Sequence, residues 1–312
     1  MIRYTLRRVG WTILVLWAIV SLTFVATFLS PIDPARSYAG LRASKQVIAE
    51  VRRQFGLNEP RWVQYGRYIE RLLHGNLGHS YATGQSVFGA VLGRLPYTAE
   101  LAIAAMLVQI TLGLPLGVAA ALYRGRPLDR GILSVSLLGV VTPTFVLGYL
   151  LLYVFAFKLA WFPLGGTSSF AALVLPAVTL GVGGAAWYTR MLRSTVLNIV
   201  GEDYVRTARS RGLPERLVIW RHVLRNAIGP LITMIGIDLG VFLGGVLVVE
   251  KVFDWPGIGE QAWNAISFND VPMVMGTVLV AAFFITILNL AADLVNAVID
   301  PRVRYSGTAG GA

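Results

Sequence analysis

The sequence predicts an all-α integral membrane protein. It has six transmembrane helices, an extracytoplasmic subdomain after the first, and a cytoplasmic helix pair between the fourth and fifth. Three observations lead there. The 312-residue chain is 55% hydrophobic and only 14% charged, whereas a soluble domain carries about 25% charged residues. Six segments reach the roughly 20 apolar residues a helical span needs: 9–29, 97–122, 132–157, 170–199, 227–250 and 274–299. Finally, the basic residues behind the net charge of +11 lie in the gaps between these segments. That placement suits loops facing anionic lipid or partner subunits rather than nucleic acid.

Residues 1–29 form a basic tail and a first span. No small-residue cleavage site follows the apolar stretch, so it reads as a retained helix rather than a signal peptide. Residues 30–96 are too long for a simple connection. They read as an extracytoplasmic subdomain with two short helices. KQVIAEVRRQF stops at Gly56, and RWVQYGRYIERLLH opens after Pro60 and stops at Gly75. The Gly-rich stretch from Gly75 to Ser86 reads as a loop, and the region as a candidate docking surface for an external partner.

Residues 97–312 form the core transmembrane domain. Pro115, Pro143, Pro176 and Pro230 fall within its apolar runs, and neighbouring helices can cover the backbone groups that such prolines free. Small residues four apart at Gly113/Gly117 and Gly236/Gly240/Gly244 suit close helix packing. The short loops fix orientation. One side carries 16 basic residues, among them Arg3, Arg124, Arg190, Arg193 and Arg302, and the other only Lys158 and Lys251. By the positive-inside rule both termini are cytoplasmic. Trp161, Phe162 and Trp255 then belong to the outer interfacial belt.

Several chemistries are excluded. There is no cysteine, and the histidines are His74, His79 and His222. A phosphate-binding loop needs GK[ST], but none of Lys45, Lys158 and Lys251 follows a glycine or precedes Ser/Thr. HExxH and G-x-S-x-G are also absent. The chain therefore reads as a non-enzymatic membrane subunit that binds neither cofactor nor metal.

The most informative stretch is 202–226, EDYVRTARSRGLPERLVIWRHVLRN. Asp203 suits the N-terminus of a short helix over 203–211. Gly212 can take the left-handed conformation that ends it, with Leu213 as the following apolar contact. Pro214 and Glu215 suit the first turn of a second helix. Such a hairpin is too polar for lipid and exposes apolar side chains that this chain alone could not cover.

Arg206-Thr207-Ala208, with Gly212 four residues on and Leu224 twelve further, resembles the EAA loop of ABC importer permeases. Ala208, Gly212 and Leu224 match that motif, while Arg206, Thr207, His222 and Arg225 depart from it. QFGLNEPRWVQYGRYIERLLHGNLGHSY, RLPYTAELA, VVTPTF, WFPLGG, VVEKVFDWPGIG and IDPRVR resemble the dipeptide/oligopeptide permease family in order and spacing. The long loop after the first span resembles its B-type subunit.

The resemblance implies a bacterial inner-membrane importer subunit for dipeptides or short oligopeptides. It further implies a second homologous permease, two cytoplasmic ATPase domains that hold ATP and magnesium, and an extracytoplasmic substrate-binding protein. Asp203, Arg206, Thr207, Ala208, Arg211, Gly212, Leu213, Pro214 and Leu224 would couple to an ATPase. Nickel or glutathione is an alternative cargo, and an ATPase-independent secondary transporter is an alternative class.

Two further features concern the membrane interior. Asn289, Asp293 and Asn296 share one face of the sixth span, with Arg190 or Arg193 as an expected partner for Asp293. Asp238 lies deep in the fifth span between Gly236 and Gly240, where the thin helix surface is expected to leave room for a ligand on the substrate path. A carboxylate there is expected either to make a structural hydrogen bond or to line the substrate path.

Overall fold

The computed structural model describes residues 2–29, 33–40, 43–54, 56–243 and 246–299. The N-terminal helix α1 (Ile2–Leu29) is followed by α2 (Pro34–Ala39), α3 (Lys45–Gln54) and α4 (Arg61–Leu73). The transmembrane core comprises α5 (Val87–Leu122), α6 (Pro127–Val141), α7 (Thr144–Lys158) and α8 (Phe170–Val200). The hairpin helix α9 (Asp203–Ser210) leads into α10 (Glu215–Leu243). Last come α11 (Leu247–Val252), α12 (Ile258–Ser267) and α13 (Val271–Ile299). Five of these are long and apolar enough to cross a membrane, or six if α6 and α7 count as one broken span.

The two short helices α3 and α4 form where the sequence places them. Gly56 and Gly75 have φ of +64° and +71°, the left-handed backbone that favours glycine. Pro60 precedes α4, where its missing N–H is no loss. The additional turn of α2 is capped by Asp33, which accepts from Ala35 N and pairs with Arg52 at 2.6 Å. Arg52 also holds the Asp33 carboxyl below its usual range. α4 lies against α1: Ser21 and Tyr65 share a 2.7 Å hydrogen bond, and the Phe24 and Tyr65 rings meet edge-on at 5.1 Å.

Three boundaries differ from the sequence expectation. First, the third span is broken, with α6 and α7 bent by 102°. Pro143 cannot donate to the helix ladder, and Thr142 before it is extended at φ −71°, ψ 121°. Second, α5 begins at Val87, so the expected boundary at residue 96/97 falls inside a helix. Its first turns are too amphipathic to register as apolar, yet Val87 and Val91 are fully buried against Ile258, Ala265 and Met273. Third, the fifth span is α10. It starts at Glu215 inside the hairpin and ends at Leu243, so Glu250 lies outside it in α11. A wide π-helical stretch over Val218–Leu224 keeps α10 continuous through the polar segment.

Glycines set the central crossing of α5 on α8. A Cβ on Gly117 would lie 2.9 Å from Thr189 O, and one on Gly181 2.6 Å from Val108 Cβ. The backbones therefore touch, and Thr189 Oγ1 donates to Gly113 O at 3.3 Å.

The end of the bundle opposite the hairpin is tied by carboxylates. Asp270 accepts from Ser80 Oγ, from Tyr81 N at 3.0 Å and from Ala82 N at 3.4 Å, which pins the 78–86 loop to the start of α13. Burial pushes the Tyr81 phenol up to about 12. Glu250 is wholly buried and accepts from Thr98 Oγ1 and Glu260 N, both at 2.9 Å. A Cβ on Gly257 would sit 2.2 Å from its Oε1, so the PGIG turn needs glycine to admit this carboxylate. Trp255 is not in an interfacial belt. It is 2% exposed and donates Nε1 to Tyr97 O at 2.8 Å. Trp161 is 65% exposed.

Candidate functional site

The 202–226 hairpin is built by its turn. Asp203 stands in the first turn of α9, and Gly212 after its end has φ +75°. Pro214 caps the start of α10, and Glu215 occupies its first turn. Arg209 closes the turn with two hydrogen bonds to Glu215, Nε to Oε2 at 3.0 Å and Nη2 to Oε1 at 2.6 Å. Asn226 Nδ2 donates to Tyr204 OH at 2.8 Å, which ties α9 to the second arm.

The residues singled out for ATPase contact divide in two. Asp203, Arg206, Thr207, Arg211, Gly212 and Pro214 are exposed. Ala208 and Leu224 are instead buried within this chain, together with Val205, Val218, Val223 and Ala227. Leu213 is half-buried and packs on the same cluster. Ala208 and Leu224 therefore hold the hairpin to its own bundle, as a small and an apolar residue on inward helix faces must, and offer no surface to a partner. The uncovered apolar groups are Trp220 at 66% exposure, Tyr204 at 42% and Leu217 at 38%. The sequence marks Leu217, Val218, Trp220 and Leu224 as the apolar groups of this helix, and of these Val218 and Leu224 turn inward. Trp220 stands among Arg216, Arg221 and Arg225, all of them exposed.

Because α10 is one helix from Glu215 to Leu243, the hairpin's second arm and the fifth span are a single rod of roughly 43 Å at 1.5 Å per residue. Nearby, Arg193 forks onto Asp129, with Nε to Oδ1 at 2.7 Å and Nη2 to Oδ2 at 2.8 Å. Asp129 also accepts from Gly125 N at 2.8 Å. This ties the end of α8 to the start of α6. Among the described residues the partner of Arg193 is Asp129, and the expected pairing of Arg190 or Arg193 with Asp293 falls on a side chain that is not described. The Asp293 and Asn296 side chains lie outside the described residues. Arg190 stacks over Trp187 at 5.4 Å.

Among the spans, the half-buried Asp238 on α10 accepts from Gln109 Nε2 on α5 at 2.6 Å. The expectation that Gly236 and Gly240 leave room for a ligand is not met. A Cβ on Gly236 would lie 2.2 Å from Ala292 Cβ, and one on Gly240 3.3 Å from Ile285 O. Both glycines serve close packing of α10 on α13, and Asp238 points from another side of α10 toward α5. Gln109 and Tyr188 were not singled out by the sequence reading. An amide inside an apolar span was the available signal for Gln109, and nothing marked Tyr188 among the aromatics.

Comparison with known proteins supplies the context. The family described as binding-protein-dependent transport system inner membrane component matches residues 113–305. A companion family of N-terminal regions of such components matches residues 1–102. The glutathione transport system permease protein GsiC of Salmonella paratyphi A is 39% identical over 305 residues, covering 98% of this chain and all of that protein. GsiC of Escherichia coli K12 is 36% identical over the same length. Among solved structures, an inward-facing MetNI methionine ABC transporter aligns with TM-score 0.55 at 19% identity, covering 67% of this chain and 96% of its own. An amino acid ABC transporter crystallised with histidines aligns with TM-score 0.51 at 18% identity, covering 69% and 94%. At these identities the solved structures speak to the fold.

Proposed function

The chain belongs to the family of binding-protein-dependent transport system inner membrane components, the permease subunits of ABC importers, and on that premise we propose that its cargo is a short peptide, glutathione included. Glutathione is itself a tripeptide, so the peptide reading and the name borne by the GsiC relatives describe one substrate class. The chain works beside a second permease subunit, two cytoplasmic ATPase domains that bring ATP and magnesium, and an external binding protein. Both termini face the cytoplasm.

The observation that carries the mechanism is the continuity of the hairpin with the fifth span. An ATPase domain grips the exposed face of the hairpin, where Trp220, Leu217 and Tyr204 stand uncovered among arginines. When two such domains close on ATP, the force enters α10 at its first turn. A rigid packed helix pair moves as a body rather than deforming. The closed turn of Arg209 and Glu215 keeps α9 in register with α10. The broken α6–α7 pair, joined to α8 through Asp129 and Arg193, gives the bundle a joint at Pro143.

The test is purification of the chain with its membrane complex, followed by reconstitution. ATPase subunits should co-purify in stoichiometric amount, and a binding protein loaded with glutathione or a dipeptide should stimulate ATP hydrolysis. A chain that transports alone, with no ATPase subunit present, refutes the reading.

A further inference from the structure

We propose that Asp238, Gln109 and Tyr188 form a receptor for a primary ammonium group on the substrate path, a claim that rests on the peptide-importer reading above. The three side chains come from α10, α5 and α8. Gln109 is 1% exposed and Tyr188 0%. The Gln109 carboxamide fills a slot over Gly184, where a Cβ would lie 2.1 Å from its Oε1. One amide N–H goes to Asp238 at 2.6 Å, but the buried Oε1 accepts nothing. The Tyr188 hydroxyl lies beside both Asp238 and Gln109, an O–H donor set against their side chains, though no well-formed hydrogen bond joins it to either. The three side chains bring only neutral donors, the two Gln109 N–H groups and the Tyr188 O–H, and the Gln109 oxygen is left without one. Buried polar atoms are rarely left in that state.

Charge makes the same point. A carboxylate in a span costs about 2.5–3.5 kcal/mol at the bilayer centre unless it faces a partner or a wet cavity. None of the described ion pairs includes Asp238. Asp238 is the one half-buried member of the cluster, and its neighbours Ile237 and Val241 are 45% and 54% exposed on this chain. It therefore stands at the edge of a face that the chain does not cover, within reach of whatever passes there. Among the described residues there is no cluster of acidic and histidine ligands for a divalent ion, and one carboxylate balances one positive charge. A primary ammonium brings three N–H donors and one charge, which balances a carboxylate that neutral donors alone leave uncompensated. Glutathione and ordinary peptides share this group.

The test uses the complete transporter in proteoliposomes. Uptake of glutathione, dipeptides and tripeptides is compared, each with its amino group free and N-acetylated. The wild type should favour the free-amino forms, and Asp238→Asn should lower that preference by roughly tenfold or more, the scale of a charged hydrogen bond. Asp238→Glu should restore part of it, and Tyr188→Phe should lower it less. If Asp238→Asn lowers both forms equally, or fails to assemble while Asp238→Glu assembles, the carboxylate is a structural or subunit contact and the receptor is overturned with the importer reading intact. If the wild type takes up neither form of any of these ligands, both readings fall.

Discussion

Gly212→Val isolates the hairpin turn, because the position is costly for its backbone alone. Its φ is +75°, and a Cβ there would meet nothing within 4 Å. No clash can therefore account for harm. An L-residue in the left-handed region costs roughly 1–2 kcal/mol, and a β-branched one lies at or above the top of that range. Opposing this strain is the Arg209–Glu215 pair, whose side chains are 38% and 56% exposed, and an exposed pair is worth about 0–1 kcal/mol. The strain exceeds the clasp, so the turn should yield and the angle between α9 and α10 should change. With about 1.4 kcal/mol per tenfold, the native turn loses roughly a factor of ten in population. Meanwhile Val205, Ala208 and Val223 stay buried in the bundle, so insertion and thermal stability should remain near wild type. The assay is ligand-stimulated ATP hydrolysis and uptake in proteoliposomes, with co-purification of the ATPase subunit. Uptake should fall about tenfold in Gly212→Val and be largely kept in Gly212→Asn, because asparagine tolerates the left-handed region. Wild-type uptake in Gly212→Val, or an asparagine variant as poor as valine, would refute the backbone argument.

Arg193→Ala strips the fork from Asp129 and should lower thermal stability, because the carboxylate loses its cation. Thermal unfolding in detergent checks this, and Arg193→Lys should recover only part because lysine cannot make both bonds. Gly117→Val should block the α5–α8 approach, where a Cβ already falls 2.9 Å from Thr189 O. The expected loss is about 1–3 kcal/mol from overpacking, read as lower yield of assembled complex. Cysteine placed at Thr83 in this Cys-free chain should react with an impermeant reagent from outside the cell only. Reaction solely from the cytoplasmic side would invert the topology.

Turn chemistry was legible in the sequence because it is local. Gly56, Gly75 and Gly212 were marked as helix stops, and each has positive φ. Span ends were read less well wherever amphipathic residues extend a membrane helix. The first turns of α5, for example, bury Val87 and Val91 against elements almost 200 residues away, and no local window contains that information. The same limit explains Ala208. Its helix placement was readable, but which face looks inward depends on Val218 and Val223 across the turn.

Asp238 shows where a sequence argument keeps its force even when its geometry fails. The flanking glycines suggested an open groove, yet α13 fills it at Ala292 and Ile285. Glycine spacing alone cannot distinguish a ligand's space from a helix's, because both require a missing Cβ. The charge argument did not depend on that groove. A carboxylate in a span must face something polar, and here it faces Gln109 at 2.6 Å. Gln109 lies 129 residues earlier in the chain, and its own apolar surroundings gave no reason to pair the two. Long-range polar contacts of this kind are set by how the helices cross. That crossing is in turn set by Gly113, Gly117 and Gly181, which bring α5 and α8 into backbone contact. The glycines that looked like packing alone therefore also bring Gln109 and Tyr188 to Asp238.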